Sequence, residues 1–449
     1  MKRIKGFAFA FLAISLTMMS CAKDDEDTPD DPADETKTTF TFDVSDNYIA
    51  ENDTSVDNRA WVLIYSQNND LLFEQEVENG KKYEYELTDK GAVNVQLFRA
   101  RFSNGYYNRN LYGLNVYTNV TPDDWKLGGS SDSDKEPIGH ASVDLVDIDF
   151  YSYYYPTLKS THADGYYDSE SGNVFEVPLY YTPDAIWLCL QPETGAPLYK
   201  WVPDVSVNDA LSIGAGELEA MTGLNVELPA NNHCSVYVEG NDLSSDDPLW
   251  SECYYKSFSN GETSVEVYYP TGVFNDFWTY YRASSADSYD VYARTGPSIS
   301  EKLLTLDVDA TITNSNVLDF KATTTGAADR CQVNWSAGDY YTNSFNYYVY
   351  GEVKSSFTYK APPIPQDIMD FDEDLIDLNK LDGGASIYFA DYSVINGYQD
   401  YIKAYRVEQR NVNISGSDYK GKTCYSNKSA IPVIDDKEMI KQIKQELFK

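Results

Sequence analysis

Few residues in this sequence have the types and spacing that enzyme catalysis requires. The three histidines, His140, His162 and His233, lie far apart and form no His-x-x-x-His pair, so the sequence contains no zinc-metalloprotease motif. It contains no Gly-x-Ser-x-Gly turn of an α/β-hydrolase either. Gly214-Ala215-Gly216 lacks the third glycine of a dinucleotide-binding loop and is assigned to a turn. We therefore expect no catalytic residue, no cofactor and no enzymatic activity.

Carboxylates are abundant, with 71 Asp and Glu residues, but their spacing identifies no site. Three Asp-x-Asp pairs begin at Asp132, Asp147 and Asp307 and alternate as calcium ligands do. None continues into an Asp-x-Asp-x-Asp-Gly loop with a downstream Glu, and solvated strand faces explain them equally well. Two carboxylates can also hydrolyse a glycoside, but among 71 acids some pair lies close together whatever the function. We therefore assign no metal ligand.

Aromatic residues are the feature that best suits ligand binding, with 39 tyrosines and 7 tryptophans. Several tyrosine pairs stand beside turn residues, and in a Tyr-Tyr pair on a strand one ring faces inward and the other outward. An exposed ring next to Asn or Asp offers a flat apolar surface to a sugar ring and polar groups to its hydroxyls. Protein contacts and core packing are the alternatives for the same rings. The candidate ligand-binding residues are Tyr106, Tyr107, Tyr166, Tyr167, Tyr340 and Tyr341.

The elements that carry these residues have the period of β-strands. Phe40, Phe42 and Val44 alternate with polar residues, and residues 304–312 alternate over five pairs. A two-residue period indicates a strand with one face in water. Parallel strands buried on both faces would instead read as continuous apolar segments. The sequence thus predicts an all-β protein built of several antiparallel β-sandwich modules in tandem.

Breaks in composition divide the chain. Gly, Ser and Asp dominate residues 128–134, and Thr295-Gly296-Pro297 forms a second break. The C-terminal segment carries Met439, Ile440, Ile443 and Leu447 at three-to-four spacing, which predicts a short helix that packs on the last module or binds a partner. The predicted units are a β-sandwich module at 39–130, a second at 136–294, a third β module at 297–432 and a C-terminal helix at 433–449.

The cysteines are typical of an exported protein without a thiolate metal site. Cys234 and Cys253 fall on two consecutive strand-like segments joined by a polar turn, which predicts a disulfide across a hairpin. Cys189 lies within an apolar segment and is interpreted as a small buried hydrophobe. No Cys-x-x-Cys occurs, so neither a zinc site nor a redox pair is indicated. The partners of Cys331 and Cys424 stay open.

The N-terminus reads as a lipoprotein signal peptide. A basic segment, Met1–Lys5, precedes an uncharged apolar stretch at 6–19 and then Ser20-Cys21. The apolar stretch is shorter than the hydrophobic length that a transmembrane helix requires, which disfavours an uncleaved membrane helix. We predict a signal peptide at 1–20, lipid attachment at Cys21 and an acidic flexible linker at 21–38.

The residues after Cys21 resemble a known export signal. Ala22-Lys23-Asp24-Asp25-Glu26-Asp27 is similar to the tag of surface lipoproteins of Bacteroidota, in which a Lys and several acids follow the acylated Cys. This resemblance implies a lipid anchor in the outer membrane and exposure to the medium. An acidic linker on a periplasmic lipoprotein is the alternative. The remainder resembles uncharacterised β-rich lipoproteins of that group, so the resemblance implies a location and a fold but no activity.

The net charge limits the partners. At pH 7 the chain carries a formal charge of −36, which repels polyanions, so nucleic acid is excluded as a partner. The expected partners are outer-membrane lipid, through acylated Cys21, and a polysaccharide or a surface protein. The sequence therefore predicts a lipid-anchored cell-surface binding protein that captures glycan or nutrient through exposed aromatics. The alternative is a structural or adhesive surface protein that binds a partner protein.

Overall fold

A computed structural model confirms the all-β prediction, because strands account for 58% of the structure and helices for 8%. The predicted signal peptide, most of the linker and the C-terminal helix lie outside the part of the chain that the structure describes. Within that part, no helix is long and apolar enough to cross a lipid bilayer. The structure describes residues 38–49, 58–87, 91–103, 109–128, 136–153, 155–160, 173–241, 250–259, 261–285, 288–338, 343–381, 384–412 and 414–426.

The strands follow one another with few helical turns. The first group is β1 Thr38–Val44, β2 Arg59–Tyr65, β3 Leu71–Val77, β4 Lys82–Leu87, β5 Val93–Ser103, β6 Arg109–Val120 and β7 Asp124–Leu127. The middle group is β8 Gly139–Val146, β9 Tyr155–Ser160, β10 Val174–Leu179, β11 Asp184–Gln191, β12 Leu198–Val205, β13 Ala210–Gly214, β14 Glu219–Ala220, β15 Thr222–Glu227, β16 His233–Asn241, β17 Trp250–Ser259, β18 Ser264–Tyr269, β19 Asp276–Ser284 and β20 Ser288–Gly296. The last group is β21 Val308–Asn314, β22 Phe320–Gly326, β23 Arg330–Gly338, β24 Ser344–Gly351, β25 Ser356–Tyr359, β26 Ser386–Tyr392 and β27 Asp418–Tyr425.

The helical segments of the described residues are short. These residues form two α-helices, α1 Gln366–Met369 and α2 Gly397–Ile402, and the π-helical segment Lys403–Glu408 continues α2. Single 3₁₀ turns occupy Phe150–Ser152, Ala215–Glu217 and Leu378–Lys380.

A 12-stranded sheet runs through all three predicted modules. Its order is β17-β16-β19-β20-β27-β26-β23-β24-β6-β5-β2-β3. Every neighbouring pair is antiparallel except β24 and β6, which run parallel. Strand β27 of the third predicted module pairs with β20 of the second, and β24 pairs with β6 of the first. The modules are therefore joined through continuous backbone hydrogen bonding.

Smaller sheets cover parts of this long sheet. We call the side that carries Tyr348 and Tyr388 the front face and the side that carries Trp335 and Tyr347 the back face. On the front, the sheet β4-β1-β7 covers β2, β5 and β6 and buries Phe40 and Trp125, whose ring centroids are 5.3 Å apart. On the back, β21-β22-β25 and β15-β18 supply further cover. Each fully buried large side chain contributes roughly 1.5–3 kcal/mol.

The predicted second module contains two hydrophobic cores. Strand β11 alternates between them, because Ile186 and Leu188 pack between the sheets β10-β8-β13 and β14-β12-β11-β9. Trp187 and Cys189, on its other face, pack against the long sheet. Burial on both faces explains why β11 reads as a nearly continuous apolar segment. Cys189 is buried, as its apolar neighbours indicate.

The predicted Cys234–Cys253 disulfide is wrong. Strands β16 and β17 do form a hairpin, but their register places Cys234 opposite Phe258. A bulge at Cys253 sets that residue beside Val238 and Glu239. Four residues along a strand span about 13 Å, well beyond the reach of a disulfide. Cys234 and Cys253 are therefore not bonded to each other.

Candidate functional site

The lipid-attachment and ligand-binding residues predicted from sequence lie outside the described residues. This holds for Cys21 and for the six turn-borne tyrosines, Tyr106, Tyr107, Tyr166, Tyr167, Tyr340 and Tyr341. Described residues that follow two of these tyrosine pairs in the sequence are hydrogen bonded to each other. The backbone N–H of Asn110 donates to Oδ1 of Asn343 at 2.9 Å, because β6 and β24 are parallel neighbours. Both strands therefore begin at the same end of the sheet.

The described residues contain a second set of aromatic and amide side chains, which we call the tyrosine–amide face. One row crosses five strands in register, and a second row lies beside it on the same front face. Neighbouring strands are about 4.8 Å apart, so the first row extends roughly 19 Å. The tyrosine–amide face consists of Asn115, Tyr348, Asn334, Ser386 and Tyr425 in the first row and Gln332 and Tyr388 in the second.

The strand period puts these side chains on the front. In β24, Phe345, Tyr347 and Val349 are buried on the back face, so the residues between them point forward. The same alternation in β23 buries Val333 and Trp335 on the back face. Within the pair Tyr347-Tyr348 one ring is fully buried and the other half-buried, which is the arrangement expected for adjacent tyrosines on a strand.

A buried arginine orients the amides of this face. Arg330 is 0% exposed, and its Nη1 donates to Oε1 of Gln332 at 3.0 Å. Arginine has only donors, so the Gln332 oxygen must face it and Nε2 must point away. That Nε2 donates to Oδ1 of Asn334 at 2.7 Å. The Nδ2 group of Asn334 is consequently the donor at the end of this series of hydrogen bonds.

Tyrosines hold the Arg330 guanidinium in place. Its Nε and Nη2 atoms donate to the Tyr392 hydroxyl at 3.4 and 3.2 Å. The guanidinium carbon lies 4.8 Å from the ring centroid of Tyr401, on α2, and 5.7 Å from that of Tyr388. Cation–π contacts stabilise a desolvated cation by about 2 kcal/mol each. Arg330 thus holds a fixed position beside Gln332 on the front face of the sheet.

Helix α2 is fixed to the sheet by a buried carboxylate. Asp329 accepts hydrogen bonds from the backbone N–H groups of Tyr392 at 2.8 Å and Gly397 at 2.6 Å. Burial raises the pKa of this carboxyl, and the two N–H donors partly oppose that effect. The Tyr398 hydroxyl adds a bond to the carbonyl of Tyr350 at 3.1 Å.

Gly421 makes room for the Tyr388 ring. A Cβ atom at Gly421 would lie 2.3 Å from the Tyr388 hydroxyl oxygen and 2.8 Å from Cζ. The ring can therefore lie close over the sheet, where its hydroxyl is hydrogen bonded to that of Tyr419. Any larger residue at this position must displace the ring.

At the far end of the face, Tyr425 packs on a second aromatic–arginine pair. Its ring centroid is 6.1 Å from that of Tyr289, and the Arg282 guanidinium lies 4.8 Å from the Tyr289 centroid. Burial raises the pKa of Tyr425, so its hydroxyl stays protonated at neutral pH.

The side chains of this face are of the types that stack on and hydrogen bond to a ligand. Tyr348, Tyr388 and Tyr425 are half-buried and lie in register with amide and hydroxyl side chains. Among the described residues, no group of three or more His, Cys, Asp or Glu side chains is arranged to hold a metal ion. Sequence reasoning missed this face because its members come from five separate strands. The alternating Asn346-Tyr347-Tyr348 segment was the available signal.

Comparison with known proteins assigns the chain to no family. No protein-family model matches the chain, and no curated protein matches it.

Proposed function

We propose that this protein is a lipid-anchored cell-surface protein that binds a neutral glycan on its tyrosine–amide face. The observation that carries the proposal is the register of three half-buried tyrosines with amide side chains between them on one face of the sheet. A tyrosine ring packs against the C–H face of a sugar, and the amides bond its hydroxyls. The charge of −36 supports a neutral rather than an anionic glycan.

The anchor and location complete the proposal. Cys21 carries the lipid, the outer membrane holds it, and the acidic residues after it direct the protein to the medium. The six turn-borne tyrosines stay predicted contributors to binding. Many weak sites tethered on one cell would act together through their effective concentration.

The direct test is binding of the purified full chain to an array of plant, host and microbial polysaccharides. We expect a neutral polysaccharide to be retained and Tyr348→Ala to weaken its binding about fivefold, because one stacked ring contributes roughly 1 kcal/mol. Tyr268→Ala, which removes a half-buried tyrosine on β18 far from this face, is the matched control.

Two outcomes would change the proposal. If glycan binding survived Tyr348→Ala and Tyr388→Ala in folded protein, the tyrosine–amide face would not be the site. If no polysaccharide bound while a stable complex with another surface protein formed, the structural or adhesive function would replace glycan capture.

A further inference from the structure

Strand β17 ends the long sheet, and side chains of β11 bind its backbone. Nε1 of Trp187 donates to the carbonyl of Glu252 at 2.9 Å. Further along β11, Nε2 of Gln191 donates to the carbonyl of Tyr255 at 2.7 Å. The backbone N–H of Tyr255 donates to Oε1 of Gln191 at 3.2 Å. These bonds satisfy peptide groups of a terminal strand, which would otherwise be available for pairing with another chain.

Cys189 lies between these two anchoring residues and meets Cys253. The Cys189 thiol donates to the carbonyl oxygen of Cys253 with Sγ and O 3.3 Å apart. Both side chains belong to one hydrophobic core and are 3% and 1% exposed. Both are free thiols in this structure, which therefore holds the pair in its reduced form.

The other cysteines of the described residues are placed less favourably. Cys234 is on the same hairpin as Cys253 but at the opposite end of β16. Cys331 and Cys424 are separated by the intervening strand β26, where they stand opposite Phe389 and Ile387 respectively. Two strand spacings place the Cα atoms of Cys331 and Cys424 about 9.6 Å apart, which exceeds the Cα separation that a disulfide can bridge.

We propose that Cys189 and Cys253 form a disulfide while the exported chain folds. Each thiol loses its proton, one sulfur displaces a thiolate from a small-molecule or protein disulfide, and the second sulfur displaces the carrier from the mixed disulfide. Two protein thiols are oxidised to one disulfide, and the donor disulfide is reduced to two thiols. The bond joins the sandwich that contains β11 to the end strand of the long sheet.

The timing follows from burial. Burial raises the pKa of both thiols, so the folded protein contains almost no thiolate at these positions. Oxidation therefore occurs before the core closes, and the finished bond is structural rather than a switch.

The test is refolding of the full chain from the reduced, unfolded state in a mixture of reduced and oxidised glutathione. Thiols are then blocked and peptides are mapped without reduction. We expect a peptide pair linked through Cys189 and Cys253, two fewer free thiols than in the reduced protein, and unfolding at higher denaturant concentration. Protein isolated from cell membranes should show the same link.

Variants make the assignment specific. Cys189→Ala and Cys253→Ala should each abolish the link, whereas Cys331→Ala should keep it. Recovery of Cys189 and Cys253 as separately blocked thiols in folded wild-type protein would overturn the proposal, and so would a different linked pair. Because wild-type mapping decides the question alone, a variant that fails to fold does not obscure it, and the result is independent of glycan binding.

Discussion

Gln332→Glu tests whether Arg330 sets the polarity of the tyrosine–amide face. The substitution keeps an acceptor for Nη1 of Arg330 at 3.0 Å but replaces the Nε2 donor with a second carboxylate oxygen. That oxygen would face Oδ1 of Asn334 across 2.7 Å, so two acceptors would oppose each other. Rotation of the Asn334 amide by half a turn removes the conflict, and the amide then presents oxygen instead of nitrogen to the ligand.

The magnitude follows from hydrogen-bond energies. A new charge-assisted bond to Arg330 contributes about 1.5–3 kcal/mol, and desolvation of the carboxylate opposes it, so the free energy of unfolding should change by less than about 1 kcal/mol. A ligand hydroxyl that accepted a bond from Asn334 would lose it. Leaving a desolvated group unpaired costs about 1–3 kcal/mol, which is roughly five- to 150-fold in Kd.

The assay is calorimetric titration of the retained glycan into wild-type and variant protein, together with denaturant unfolding of both. Gln75→Glu, on strand β3 at one edge of the long sheet and outside the face, carries the same charge change and should leave Kd unchanged. An unchanged Kd for Gln332→Glu, in a protein in which Tyr348→Ala weakens binding, would refute the reasoning about amide polarity.

Three further predictions concern the ring support, pH and the anchor. Gly421→Ala should displace the Tyr388 ring, lower the free energy of unfolding by about 1–3 kcal/mol and weaken glycan binding, as measured by denaturant unfolding and titration; unchanged binding would contradict the close approach at 2.3 Å. Burial raises the pKa of the Asp290 carboxyl above its value in the unfolded chain. The folded protein therefore binds this proton more tightly, and the stability of the wild-type protein should fall as pH rises from about 3.9 through the folded-state pKa. Asp290→Asn should lack this fall in denaturant midpoint, and an identical pH profile in both proteins would refute it. Cys21→Ala should release the protein from membranes, and protease should degrade the wild-type protein on intact cells; resistance until lysis would remove the surface assignment.

Local pattern determined which strands form and which side chains share a face. Phe40, Phe42 and Val44 alternate with polar residues in the sequence, and these three are buried together in the front core. The same rule places Tyr347 inward and Tyr348 outward. Side chains alternate along any strand whatever its neighbours are, so this information is contained in a few consecutive residues.

Register and strand order were decided by the tertiary structure. Cys234 and Cys253 lie on the predicted hairpin, yet a bulge and the pairing of Cys234 with Phe258 keep them apart, while Cys189 of another sheet meets Cys253. The composition breaks also gave no sign that β24 would pair with β6 or β27 with β20.

The tyrosine–amide face shows the same division. Asn115 and Tyr348 become neighbours only because β6 and β24, more than 200 residues apart in sequence, pair in one sheet. Arg330 gives no sequence signal of its role, because a charged residue at a strand end is ordinarily solvated. Its burial beneath Tyr401 and Tyr388 depends on α2 folding back onto the sheet, and this packing between distant segments fixes the direction of the Gln332 and Asn334 amides.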